Sequence, residues 1–351
     1  MMRDGSLILI GLNDQAAWDR ATANGLPSHS WHYAAGLAQA GLSPQLAVVE
    51  AQGSRLILPF HQRNWGGFVD VATLPGLSGA LVLPTPADAR PLFDLWREFA
   101  QVQGWVSGYL QLSPRNPDVV GPDVVGPDVV GPDGVAPDGD AIASHNALFE
   151  FDLTRWQFEQ DVRRKVRWAL RNGAREGARM VTDGPALEDA LLRLYPEAMD
   201  RLDGEIFPPE TLRIWCADPG ARLFGAEVDG RIEAVELCRQ RGDQAELHLA
   251  GSSQTGRGLH GWLIWQMAEW FRGQGVTTFN IGGYGSEGDG LHDMKRRLGT
   301  VEQPMRSLRQ IYRPDVYARL CAQAGADPDQ LYFPAYRRGT KPLASPPNFG
   351  G

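Results

Sequence analysis

Cysteine is scarce: Cys216, Cys238 and Cys321 are the only three in 351 residues. They form no Cys-x-x-Cys pair and cannot all cross-link, so neither a disulfide framework nor a thiolate zinc site is expected. Lysine is as scarce. Of 34 basic residues only Lys165, Lys295 and Lys341 are lysines, which leaves 31 arginines. No apolar run approaches the roughly 18–20 residues needed to cross a bilayer. The stretch 6–12 is too short for a secretion signal, and Asp4 stands where a cationic flank belongs, so it reads as a first strand. A Gly-x-Ser-x-Gly elbow is missing, which leaves a hydrolase triad unsupported. His29 and His32 stand three apart with no third ligand near them in sequence, so no metal is expected. These absences describe a reduced, cytoplasmic chain with at most peripheral membrane contact.

What is present narrows the class further. An apolar content of 43% supports a packed core, and the length suits two domains. With 42 acidic residues against 34 basic, the formal charge is −8, an unfavourable balance for a DNA-coating protein. A period of five, Pro-Asp-Val-Val-Gly, runs from Pro117 to Gly131 and decays toward Asp140. Proline at every fifth position forbids a helix and denies a sheet its donors, so residues 114–144 are expected to be a disordered loop.

A fainter repeat relates the two halves. Residues 46–59 and 223–235 each read strand, tight turn, strand, with Gly53 and Gly230 offset by 177. The helical stretch 92–103 leads through Gly104 into 105–112, and 263–274 leads through Gly275 into 276–281, offset by 171. A duplicated unit of helix, hairpin, strand, helix and strand accounts for both offsets. The expected fold is therefore α/β, with mixed sheets, in two tandem domains, 1–148 and 149–351. Leu259, Trp262, Leu263, Met267, Trp270 and Phe271 form an apolar stripe on the second crossover helix. Ligands bind such sheets where neighbouring strands part, which points to the loops after 245–250 and after 276–281.

Four groups of residues could carry chemistry. Gly256-Arg257-Gly258-Leu259-His260-Gly261 is a Gly-x-Gly-x-x-Gly turn ahead of a helix, but no carboxylate follows where a dinucleotide fold needs one. It is either an anion seat or a turn that merely requires glycine. Glu246 and His248 alternate onto one strand face, as a general base or as satisfied polar residues. Gly282-Gly283-Tyr284 precedes Gly290–Gly299, which holds Lys295 between Met294 and Arg296. A basic segment, Arg163 to Arg179, carries seven cations against Glu176, or +6, so the remainder of the chain carries −14. Thr154 to Gln157 reads as its capping box and Asn172-Gly173 as its stop. Arg163, Arg167, Arg171 and Arg175 share a face if the helix persists beyond Gly173. Such a face is either simply solvated or a landing site for phosphates.

The meander, glycine turn, helix and strand resemble the GNAT acyltransferase core, whose cofactor loop runs Arg/Gln-x-x-Gly-x-Gly/Ala. Here Gln254 sits one place nearer the glycines. The 282–299 segment is similar to the Fem-type peptidyltransferases, which move an amino acid from aminoacyl-tRNA onto an amine of a cell-wall precursor. Their hydrophobic-Gly-Gly strand end is followed by Phe-Lys-x-x-Phe-Gly. Lys295 and Gly299 match, while Met294 and Leu298 replace the aromatics. The resemblance extends to Trp31 in an early helix and to a basic helix after the strand 149–153.

That resemblance implies two tandem GNAT-like domains, the second carrying the active site, and no resident cofactor. It implies aminoacyl-tRNA as donor and a peptidoglycan precursor amine as acceptor, used in interpeptide bridge formation. Lys295 would steady the oxyanion, the leaving 3′-oxygen or a polar residue of the cleft would take the proton (Glu246 or His248 in an acyl-CoA enzyme), and the arginine face would hold donor phosphates with Gly256, Arg257, Gly258, Gly282, Gly283 and Tyr284. Relatives acting on nucleotide-linked muramyl peptide carry a phosphate-binding lysine one helical turn after the tryptophan, where this chain has Ala34, Ala35 and Gly36. Two other classes compete: an acyl-CoA-dependent N-acyltransferase seating pyrophosphate on Gly256–Gly261, and a non-catalytic scaffold.

Overall fold

The computed structural model describes residues 5–77, 79–86, 88–116, 141–155, 166–202, 204, 206–283, 290–298, 300–328, 330 and 332–339. Arg163, Lys165, Tyr284, Lys341 and the pentapeptide repeat lie outside them. Residues 141–144, read from sequence as the tail of the repeat loop, belong instead to a strand. The chain forms two compact units. One comprises Met1–Gly25, Gly41–Asn146 and Pro304–Leu343; the other comprises Leu26–Ala40, Ala147–Gln303 and Ala344–Gly351.

The first unit is built on β1 (Gly5–Ile10), β2 (Pro44–Ala51), β3 (Ser54–Trp65) and β4 (Phe68–Thr73). A short β5 (Leu81–Leu83) pairs with β3, and β6 (Ser107–Gln111) follows. The order is β1-β2-β3-β4-β6, antiparallel except for the parallel β4–β6 pair. The strand Val301–Ile311 then lies antiparallel to β6. Alternation of apolar positions along β2 and β3 turns Val49, Leu56 and Leu58 onto the helix Arg90–Val102, which answers with Leu92, Phe93, Trp96 and Ala100.

The second unit repeats that order. β7 (Ala141–Asp152) is followed by β8 (Arg179–Thr182), β9 (Ala221–Val228), β10 (Arg231–Arg241), β11 (Gln244–Ser252) and β12 (Thr278–Asn280). The sheet runs β8-β9-β10-β11-β12-β7, again antiparallel except between β11 and β12. The crossover helix His260–Gly273 buries Leu263, Ile264, Met267, Ala268 and Phe271 on one face of the sheet. The other face carries the helices Pro185–Arg201 and Pro209–Cys216 together with Trp31–Gln39 from early in the sequence. That last helix is fastened by Thr211 Oγ1 donating to Gly36 O at 2.9 Å and Trp215 Nε1 donating to Tyr33 O at 3.1 Å. Ser30 Oγ adds a bond to Asp218 at 2.5 Å.

The two hairpins that betrayed the repeat have the same turn. Gln52 and Gly53 adopt φ of 51° and 77°, and Asp229 and Gly230 adopt 50° and 76°. Two successive positive φ values are what a two-residue I′ turn needs to match the twist of its strands. No helix among the described residues is long and apolar enough to cross a membrane.

Candidate active site

The site is created where two parallel strands part. β11 pairs with β12 only through Gln244–Glu246 against Thr278–Asn280. Beyond that level β11 continues to Ser252, while the other chain turns away to β7: Ile281 N donates to Phe149 O at 2.8 Å, and Phe149 N to Gly282 O at 3.0 Å. Gly282 makes the departure possible, because its φ of 75° is left-handed. Asn280 Oδ1 holds the turn by accepting from Gly282 N at 2.7 Å. Both loops singled out by the sequence thus border one opening.

Lys295 lies at that opening. It sits on the helix Gly290–Arg297 and is 1% exposed. Its Nζ donates to Ile281 O and to Gly283 O, each at 2.6 Å. A buried ammonium held by two carbonyls at a strand end is a fixed point charge. On β10, Glu236 is fully buried. Burial raises its carboxyl, while the neighbouring His260 and then Lys295 oppose that shift. Glu236 Oε1 lies 2.9 Å from His260 Nδ1, and its Oε2 has no partner among the described residues. Glu236 projects toward the crossover helix, as do its neighbours Ala234 and Cys238; Cys238 Sγ approaches Met267 Sδ at 3.8 Å.

Glu246 and His248 take the opposite face. Glu246 stands in register with Arg239, and His248 is the extra residue of a bulge between the pairs Leu237–Leu249 and Cys238–Leu247. Burial lifts the Glu246 carboxyl to about 7, against the Ser28 hydroxyl and the charge of Arg239. Burial and Arg239 drive His248 well below the usual imidazole range, and its Nε2 is covered and has no partner among the described residues. The ring meets Tyr33 at 5.2 Å and Trp215 at 4.4 Å, both edge-on. Arg239 is 1% exposed, and none of its three guanidinium nitrogens is hydrogen-bonded among the described residues. Its charge rests instead over Tyr33, 4.2 Å from the ring centre, and Trp215, at 5.3 Å. Desolvated cation–π contacts of this kind are each worth about 2 kcal/mol or more. Lys295 and the pair Glu246 and His248 therefore flank the opening from opposite faces of the sheet.

Of Ala34, Ala35 and Gly36, one helical turn after Trp31, Gly36 has no room for a side chain: a Cβ there would collide with the Trp215 indole. The basic helix, described over Arg167–Arg175, runs through the expected Asn172-Gly173 stop. Glycine serves packing there, since a Cβ at Gly173 would strike Trp262. Arg167, Arg171 and Arg175 are exposed on one face while Val166, Ala169 and Gly173 are buried on the other. Arg175 pairs with Glu176 at 2.8 Å. The helix abuts the glycine turn, with Asn172 Nδ2 donating to Gly258 O at 3.3 Å. In that turn Gly256 is buried, its amide bonded to Ser253 Oγ at 3.1 Å and its Cα pressed against Glu233 O. Arg257 and Gly258 are exposed. The arginines and the glycine turn thus form one surface on the crossover-helix face.

Sequence reasoning missed Glu236, His260 and Arg239. A carboxylate amid Ala234-Val235-Glu236-Leu237-Cys238 was the available signal, since a charged group inside an apolar strand needs a partner. Arg239 carried no such signal among 31 arginines. Among the described residues no three His, Cys, Asp or Glu side chains converge as metal ligands.

The acetyltransferase (GNAT) domain family matches residues 157–296. No curated protein matches the sequence. Among solved structures, FemX aligns with a TM-score of 0.60 at 14% identity, covering 90% of this chain and 99% of its own. The C-terminal DUF2156 domain of a protein named as a lysylphosphatidylglycerol synthetase, from Agrobacterium fabrum, aligns with 0.58 at 15% identity, covering 89% and 95%. L-PGS from Bacillus licheniformis aligns with 0.50 at 14%, covering 72% and 81%. Strand order, the bulge on β11, the parting of β11 from β12 and these alignments agree: the chain has a GNAT-superfamily fold with partial similarity to FemX-like and DUF2156-like proteins.

Proposed function

We propose that this protein is an aminoacyltransferase that moves an amino acid from aminoacyl-tRNA onto an amine, with a peptidoglycan precursor peptide as acceptor, and that its two units are tandem GNAT-like copies. The observation that carries the reading is Lys295, buried at the strand opening with its ammonium fixed by two backbone carbonyls. The donor lies on the crossover-helix face, its phosphates along Arg167, Arg171 and Arg175, with Arg163 and Tyr284 as further contacts in the same reading. The acceptor amine enters from the face of Glu246. It attacks the ester carbonyl, Glu246 takes its proton, and Lys295 stabilises the oxyanion. A carboxyl with pKa about 7 is well matched to that task. His248, neutral and packed between two aromatic rings, positions its neighbours instead.

The acyl-CoA reading has less support, because Gly256 spends its amide on Ser253 rather than offering it to a pyrophosphate. Incubation with charged tRNA and lipid-linked or nucleotide-linked muramyl pentapeptide, followed by mass spectrometry, tests the proposal. An added residue is expected, and Lys295→Ala should slow its formation at least about 100-fold without unfolding the protein. Transfer from acetyl-CoA alone would shift the donor. Because one fold neighbour is named for lysylphosphatidylglycerol, phosphatidylglycerol belongs among the acceptors tried. No transfer from any donor would leave the scaffold reading in its place, and full activity of Lys295→Ala would take the oxyanion role away from that lysine.

A further inference from the structure

Glu236 and His260 have no part in the reaction as written above, yet they form a part-buried carboxylate–imidazole pair on the crossover-helix face of the sheet. His260 is the first residue of the crossover helix, directly after the glycine turn Gly256–Leu259. Its side chain keeps 25% of its surface exposed while Glu236 keeps none. Glu236 Oε1, 2.9 Å from His260 Nδ1, fixes the ring orientation and occupies Nδ1, so Nε2 is the ring nitrogen left for a ligand. Met294 and Leu298, on either side of Lys295 in sequence, pack on that same face of the sheet, and the charge of Lys295 acts on Glu236. Cys238, two residues along the same face of β10, touches the crossover helix through Met267. Glu246 stands on the other face, beside Arg239.

An ester aminolysis moves two protons. The amine loses a proton on the acceptor side, and the departing oxygen gains one on the donor side. We propose that His260, held by Glu236, is the general acid that protonates the leaving 3′-oxygen of the donor. This inference rests on the aminoacyl-ester reading above. Attack forms the C–N bond and moves the carbonyl electron pair to oxygen beside Lys295, while Glu246 takes the amine proton. Collapse restores the carbonyl and breaks the C–O bond, whose electron pair stays on the 3′-oxygen as His260 Nε2 gives that oxygen its proton. His260 is then neutral, with Nδ1–H still directed to Glu236. The proton on Glu246 returns to solvent, and solvent recharges His260, so ester and amine become amide and alcohol with nothing else consumed. Glu236 is a positioning residue in this scheme.

Leaving-group dependence distinguishes an acid from a merely structural histidine, because a thiolate departs without being protonated. The same aminoacyl group is supplied as an ester on an acceptor-stem minihelix and as a pantetheine thioester. His260→Gln keeps a hydrogen bond to Glu236 but cannot pass a proton, and His260→Ala removes both functions. Both variants are expected to slow ester transfer by about 100-fold or more and thioester transfer by less than about 3-fold. Glu236→Gln should slow the ester about 10-fold and the thioester by less than about 3-fold. If the wild type rejects the thioester, rescue of His260→Ala by added imidazole decides alone. Equal slowing with both donors, no rescue where the thioester is rejected, or full activity of His260→Gln overturns the inference while leaving the aminoacyltransferase standing. A wild type that transfers from neither donor overturns both.

Discussion

Glu246 joins stability to activity with opposite signs. Its folded pKa of about 7 lies above that of an unfolded carboxylate, so the native state binds the proton more tightly than the unfolded chain. Stability is greatest below the ordinary carboxylate range and falls as pH rises toward 7, by a few kcal/mol at about 1.4 kcal/mol per unit of difference. Activity runs the other way, because only the carboxylate can accept a proton. The transfer rate is expected to climb along a limb centred near pH 7. Glu246→Gln should abolish that limb and slow transfer by about 10² to 10⁴. The same variant should gain stability over the wild type in urea denaturation at pH 8. A variant that keeps the limb assigns the base elsewhere. Glu246 could be singled out from its alternation with His248, but its pKa could not. That value comes from burial, which outweighs the opposing pull of the Ser28 hydroxyl and of the Arg239 charge across the hairpin.

At the scale of elements, the hairpins and crossover helices were legible because local chemistry fixes them. Gly53 and Gly230 occupy left-handed positions that a side chain would strain, and the stripe through Leu259, Leu263, Met267 and Phe271 has one helical period. The Asn172-Gly173 stop misled, because Gly173 was selected by the Trp262 ring against it rather than by a turn. The helix therefore continues and keeps Arg171 and Arg175 on the face of Arg167. Replacing these three arginines by glutamine is expected to weaken tRNA binding. It should also reduce the slope of log K against log salt by about 2 to 3, as three lost phosphate contacts would. Binding titrations from 50 to 300 mM salt check this, and an unchanged slope would show the face to be merely solvated. Fold stability should hardly move, since the three side chains are exposed.

For the whole molecule, the units do not follow the sequence halves. The second unit includes Leu26–Ala40, whose helix covers Trp215 and supplies the acceptor for Thr211. A fragment 149–351, cut where the internal repeat suggests, loses that helix. It leaves Trp215, His248 and the Arg239 guanidinium without Tyr33, and Asp218 without Ser30. It is expected to bind 1-anilinonaphthalene-8-sulfonate and to lack a cooperative thermal transition. Fusing residues 26–40 ahead of it through a flexible linker should restore a cooperative transition, read by near-ultraviolet circular dichroism. A fragment that melts cooperatively without the helix would show that the sheet and its own helices suffice.

The sequence by itself determined the two hairpins, the two crossover helices and the basic segment, and it put Lys295 forward as a candidate, because turn chemistry, helical period and short motifs act within a few residues. Only the tertiary structure decided that Lys295 is buried and anchored, and that Glu236 and His260 meet across 24 positions. It alone set Glu246 and Lys295 on opposite faces of the opening. Burial and cross-strand register are made by chain segments far apart in sequence, and they set both the direction and the charge of a side chain. The scarcity of lysine is sharpened in the same way: one of three lysines proves to be the fixed cation at the point where the strands part.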